Sequence, residues 1–167
     1  MRFKQYITEN NNYKFIVDTS NGFNRYDEIM DNKLYIENDA IHRYHKNKNL
    51  MTVVYLYDGD KLIGFTLINY DSEQIPKDAY KYGNIPMGQV GVFVSPKYRN
   101  NKLGQQLLTK LKENLVNKKS PQYKYIKKHK IGFPTYQLTM NKRLETLAKR
   151  VFNDTDDGDP IYTFKWN

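Results

Sequence analysis

The stretch VGVFVSPKYRNNKLGQQLLTKL, from Val90 to Leu111, constrains this chain more than any other. Val90, Val92 and Val94 alternate with Gly91 and Phe93, the period of a β-strand. Pro96 has no N–H to donate and ends the ladder. After the polar, basic loop Lys97–Lys102, Leu107, Leu108, Leu111 and Leu115 recur at helical spacing. A strand therefore feeds a helix through a short cationic loop. The first N–H groups of such a helix lack internal partners and lie at the positive end of its dipole. With Arg99 and Lys102 beside them they suit an anion, and Gly104 lets a large one approach the backbone. An ordinary strand–loop–helix connection with solvated cations accounts for the same residues. Neither the Walker pattern nor the dinucleotide G-x-G-x-x-G pattern occurs.

The 167-residue chain is expected to form one domain, residues 1–167. Fifteen tyrosines and eight phenylalanines supply large surfaces for a core. There is no cysteine, which excludes disulfides and thiolate metal sites. Met1–Asn12 lacks the apolar segment of a signal peptide, and no run approaches the length of a membrane span, so a cytoplasmic protein is expected. The formal net charge of +9 fits anionic partners, or a compositional bias towards lysine, asparagine and tyrosine.

Phe3–Val17 is expected to hold a first strand, and the spacing between Phe23 and Asn47 one or two helices. Thr52–Tyr57 and Lys61–Tyr70 read as strands joined at Asp58-Gly59-Asp60, a hairpin signal. Asp71–Pro86 reads as a loop, Met87–Val94 as a strand and Leu103–Val116 as a helix with Pro121 beyond its end. Tyr136–Met140 and Ile161–Trp166 read as strands on either side of a helix, Asn141–Phe152. This order predicts an α/β fold, with helices on the faces of a mixed, mostly antiparallel sheet.

Val94-Ser95-Pro96-Lys97-Tyr98, then Arg99-Asn100-Asn101-Lys102-Leu103-Gly104, then Leu107-Leu108, resembles the acyl-CoA-binding motif of the GNAT superfamily of N-acetyltransferases. The hairpin Val53–Ile68, with Asp58-Gly59 and Ile63-Gly64-Phe65, is similar to that family's hairpin. The resemblance implies the family's fold and transfer of an acyl group, in most members acetyl, from its CoA thioester to an amine. It implies a strand splayed at Val94, with main-chain groups of Val92, Phe93 and Val94 holding the pantetheine arm. The amides of Arg99, Asn100, Asn101, Lys102, Leu103, Gly104 and Gln105 would cradle the diphosphate. Lys102 stands where the family's first glycine is usual.

The resemblance assigns no catalytic pair. Phe152 and Glu145 stand where the family commonly carries a tyrosine acid and an asparagine, and phenylalanine has no proton to give. Tyr162 or water could take the acid's place. The strand before the motif offers Gln89 rather than a carboxylate; Asp71, Glu73 and Asp78 lie in the neighbouring loop. Two rivals to an acetyl-CoA-dependent enzyme follow: a CoA-binding module of the same fold without turnover, and a basic nucleic-acid-binding protein.

No metal is expected. His42 and His45 have helical ligand spacing but no third ligand, and Asp154–Asp159 lacks the register and closing glutamate of a calcium loop. Lys118–Lys130 contains six lysines, two tyrosines, a histidine and no acid. It reads as a solvated loop, able to meet the CoA 3′-phosphate, an acidic protein or RNA. The sequence carries no signal of oligomeric state or of the amine acceptor.

Overall fold

Asp58-Gly59 closes the hairpin on which the sheet is built. Gly59, at φ +58°, supplies the left-handed backbone that a two-residue turn requires. The computed structural model describes residues 4–7, 13–34, 40–48, 50–69, 89–128, 135–137, 146–147, 150–151 and 161–163. Strands β1 (Lys4–Ile7), β2 (Tyr13–Asn21), β3 (Leu50–Asp58), β4 (Lys61–Asn69) and β5 (Gln89–Val94) follow one another in spatial order. Every described pairing among them is antiparallel. Strands β6 (Thr135–Gln137) and β7 (Ile161–Thr163) form a separate antiparallel pair.

Helices cover both faces. On one, α3 (Leu103–Val116) lays Leu107, Leu111 and Leu115 on Phe15, Val54 and Leu56. Each fully buried leucine contributes about 1.5–3 kcal/mol of transfer free energy. On the other, α1 (Tyr26–Asp31) buries Ile29, and Tyr44 of α2 (Ala40–Lys46) joins Phe23 over Val53, Tyr55 and Phe65. The expected α/β fold, a mostly antiparallel sheet flanked by helices, is observed; no parallel pair occurs among the described strands, so the sheet is not mixed there, and β6 and β7 pair apart from it.

Two expectations change. Phe3–Val17 is two paired strands, and β2 continues through Asp18, Thr19 and Ser20 to Asn21. The sequence hides that extension because Asp18 and Ser20 are polar yet buried. Lys118–Lys130 contains helix α4 (Pro121–Lys128). Ser120 caps it, its Oγ accepting the Tyr123 N–H at 3.0 Å, and Pro121 takes the first helical position, where no donor is needed. The proline expected to mark an end thus marks a beginning. Residues 146, 147, 150 and 151 are helical, within the helix expected over 141–152. The expected loop 71–86 and the acidic turn 154–160 lie outside the described residues.

Gly64 fixes how closely β4 and β5 approach. A Cβ there would stand 2.8 Å from the Phe93 carbonyl oxygen and 3.3 Å from Val94 Cα, both backbone atoms. Just before it, Leu56 faces Gly64 while Tyr57 faces Leu62, so Ile63 is the extra residue of a bulge. At the same hairpin end of β3, Arg25 and Glu28 both bond the Tyr57 hydroxyl, at 2.9 and 2.6 Å, and tie α1 to the sheet.

Asp18 is 3% exposed and accepts hydrogen bonds from Asn24 Nδ2 at 2.6 Å and Ser20 Oγ at 3.3 Å. Burial raises its pKa, against the opposing effect of these donors. The folded state therefore holds the proton more tightly than the unfolded chain, and stability falls as pH rises from the ordinary carboxylate range through the raised value.

Gly64→Ala is expected to cost about 1–3 kcal/mol in urea unfolding, because backbone must move to admit the methyl group. Asp18→Asn keeps an acceptor for Asn24 and removes the charge. Its melting temperature should match wild type at acid pH and exceed it at neutral pH.

Candidate functional site

The edge of β5 is where the sheet stops pairing. Ser95 N–H donates to Ile63 O at 2.8 Å, in continuation of the β4–β5 register. Antiparallel pairs alternate between bonded and non-bonded. Phe93, opposite Phe65, is therefore bonded into β4, whereas Val92 and Val94 turn their main-chain groups outward. Of the three residues expected to hold a pantetheine arm, these two offer an open edge. β6 runs nearby, its Cα atoms coming within 8 Å of β5, yet the two strands share no ladder. The side chains of Val92 and Val94 pack on the α3 side of the sheet, and that of Phe93 on the other.

Beyond Val94 the chain makes a 3-10 turn, Pro96–Tyr98. The Tyr98 N–H reaches Ser95 O at 2.8 Å and the Arg99 N–H reaches Pro96 O at 3.3 Å. The next backbone amide with a partner among the described residues is that of Gln106, bonded to Lys102 O at 3.0 Å. The amides of Asn100, Asn101, Lys102, Leu103, Gly104 and Gln105 have none, and no side chain caps α3. Asn100 and Lys102 are left-handed, at φ +73° and +56°, while Asn101 between them is not. Alternation of this kind curls consecutive N–H groups into a concavity that suits an anion. Lys102 thus adopts the backbone conformation that glycine favours, and its exposed side chain adds a cation.

The neighbours hold this loop in place. The Tyr98 hydroxyl donates to Asp58 Oδ2 at 3.0 Å, across from the hairpin turn. That bond raises the tyrosine's pKa. Arg99 Nε donates to Val94 O at 3.0 Å, and its guanidinium lies 5.9 Å from the Phe93 ring centroid. Asn100 and Asn101 are exposed and Gln105 is half-buried. Leu103 is 2% exposed and belongs to the core, so only its amide is available. Gly104 has a packing reason of its own: a Cβ there would stand 3.3 Å from Leu147 Cδ2 and 4.0 Å from Val94 Cγ2.

The motif located this loop in the sequence. The Tyr98–Asp58 bond had only an indirect signal, the Asp-Gly turn, and the outward alternation of Val92 and Val94 had none without the register. Among the residues considered for proton transfer, Asp71, Glu73, Asp78, Glu145 and Phe152 lie outside the described residues. The backbone of Tyr162 pairs with that of Tyr136. His42 and His45 close around Tyr26, whose hydroxyl bonds His42 Nδ1 and whose ring stacks on His45 at 4.0 Å. No group of three metal-ligating side chains is present among the described residues. No helix among them is long and apolar enough to cross a membrane.

A family model described as "Acetyltransferase (GNAT) family" matches residues 15–127. Among solved structures, the chain is similar to PaiA N-acetyltransferase from Thermoplasma acidophilum, crystallised in complex with coenzyme A. The identity is 13% over 87% of this chain and 95% of that one, with a TM-score of 0.45. No curated protein matches.

Lys102→Gly removes a left-handed non-glycine residue and is expected to stabilise the protein by up to about 1 kcal/mol, the relief being partly offset by a more flexible unfolded chain. Urea unfolding of the two proteins checks the sign.

Proposed function

This chain belongs to the acetyltransferase (GNAT) family, and from that premise we propose that it transfers an acetyl group from acetyl-CoA to an amine by direct attack within a ternary complex. One observation carries the reading. Six consecutive amides, from Asn100 to Gln105, lack partners among the described residues beside a strand edge that no ladder closes. That arrangement fits a diphosphate joined to an extended amide-bearing arm. The amides and the Lys102 ammonium would hold the diphosphate. The outward groups of Val92 and Val94 would bond the arm as a neighbouring strand would.

When bound, acetyl-CoA supplies a thioester carbonyl. The amine nitrogen bonds to its carbon, the C–S bond breaks, and a proton passes from nitrogen to sulfur. This chain's contribution is to orient and to polarise. An outward N–H on β5, from Val92 or Val94, is of the kind that steadies a developing oxyanion; such donors are worth about 10²–10³-fold in rate. Arg99 occupies the Val94 carbonyl and so leaves the N–H of that residue as its outward-facing group. The single domain, residues 1–167, carries this site on one sheet edge.

Phe152 favours a second reading, a protein that binds CoA without turnover, because no hydroxyl stands at the family's usual acid position. An amine panel separates the two. Acetylated product identifies the enzyme, and saturable binding with no product identifies the binding module.

Titration calorimetry with acetyl-CoA tests the site itself. Lys102→Glu places a carboxylate at the positive end of α3, which stabilises the free protein or leaves it unchanged. It also repels a diphosphate, and the expected loss of affinity is at least about tenfold, or ~1.4 kcal/mol. Unchanged affinity in the folded variant would sink the assignment.

A further inference from the structure

Helix α4 lies far from the diphosphate loop. α3 has 14 residues, about 21 Å. It begins at that loop and ends where Gln122 of α4 bonds the hydroxyl of Thr19, near the opposite end of β2. The 3′-phosphate of CoA sits within the same nucleotide as the diphosphate, so the lysines of α4 are out of its reach.

The helix is firmly seated. Ser120 and Gln122 are buried, and Ser120 Oγ donates to Asn114 O at 2.5 Å while accepting from Tyr123 N–H. Lys118, Lys119, Lys124, Lys127 and Lys128 are all exposed. None forms an ion pair with an acid among the described residues. Lys127 Nζ lies 5.7 Å over the Tyr123 ring. The cations therefore project from a fixed backbone, and the backbone loses little conformational freedom when they meet a partner.

We infer that this face docks RNA through its phosphate backbone. A protein partner would require apolar anchors, and interfaces are poor in lysine. Val116, at 40% exposure, is the only exposed large apolar side chain among the described residues. Lasting attachment to a membrane takes an apolar face or a lipid chain beside a polybasic patch, whereas Ser120 and Gln122 pin this helix to the protein with hydrogen bonds. Reading B-form DNA by sequence takes a helix or a β-ribbon in the major groove, and the exposed described side chains of this two-turn helix are Pro121 and three lysines, with no asparagine, glutamine or arginine among them to read base edges. RNA is held largely by backbone and shape. A run of lysines without acids suits that mode.

The test uses the full chain and a fluorescein-labelled stem–loop RNA, read by anisotropy across a salt series. With all five lysines engaged, log K should fall against log salt with a slope of about −3.5 to −4.5. The triple variant Lys124→Glu, Lys127→Glu, Lys128→Glu should bind at least about tenfold more weakly. The corresponding glutamine triple, the gentler change, should show a smaller loss. Both should retain the wild-type thermal shift with acetyl-CoA, which reports an intact fold. The inference is overturned by absent or salt-independent RNA binding, or by unchanged affinity in the variants. It is equally overturned if duplex DNA, polyglutamate or phosphatidylserine vesicles bind as tightly as the RNA. Failure of acetyl-CoA binding alone would remove the enzymatic reading and leave this one standing, with circular dichroism then reporting the fold.

Discussion

A helix that starts without a side-chain cap leaves its first N–H groups to whatever lies outside it. In α3 the deficit is widened, because the left-handed turns at Asn100 and Lys102 add two more amides to the exposed set. A soluble chain could satisfy these donors with water or with a serine at the cap. Here the cap is a lysine, which can accept nothing. The site consists of main chain held in one shape, and the surrounding structure serves mainly to hold that shape.

The means of holding it are distributed. Gly64 lets β5 press against β4, and Ser95 continues that pairing one residue past the strand. Tyr98 is bonded to the hairpin turn through Asp58, so the loop is anchored from a second direction. Arg99 is turned back onto the end of β5. None of these contacts need touch a ligand. Each removes a way for the amides to point elsewhere, which lowers the ordering cost of binding.

Much of this was legible in the sequence because strong local signals agreed. The alternating valines, Pro96 and the leucine stripe of α3 placed the strand–helix junction to the residue, and Asp58-Gly59 placed the hairpin. The motif then named the loop between them. Signals failed where tertiary burial overrode polarity. Asp18 and Ser20 concealed the second half of β2. Ser120 and Pro121 opened a helix within a segment whose lysines suggested a loop. The direction in which Val92 and Val94 present their main chain depends on pairing parity, a property of two strands together. Chemistry was the least legible, since a proton donor or acceptor is defined by what it faces.

The contact between Gly104 and Leu147 has a consequence for how this family member can change over time. The first turn of α3 is bare where it meets the carboxy-terminal helix and the end of β5: a Cβ at Gly104 would stand 3.3 Å from Leu147 Cδ2 and 4.0 Å from Val94 Cγ2. One missing methyl group thus answers to two neighbours. Drift in the carboxy-terminal helix would be felt at the loop before α3 even though no residue there had altered, and a larger residue at 104 would need a smaller one at 147 to accompany it.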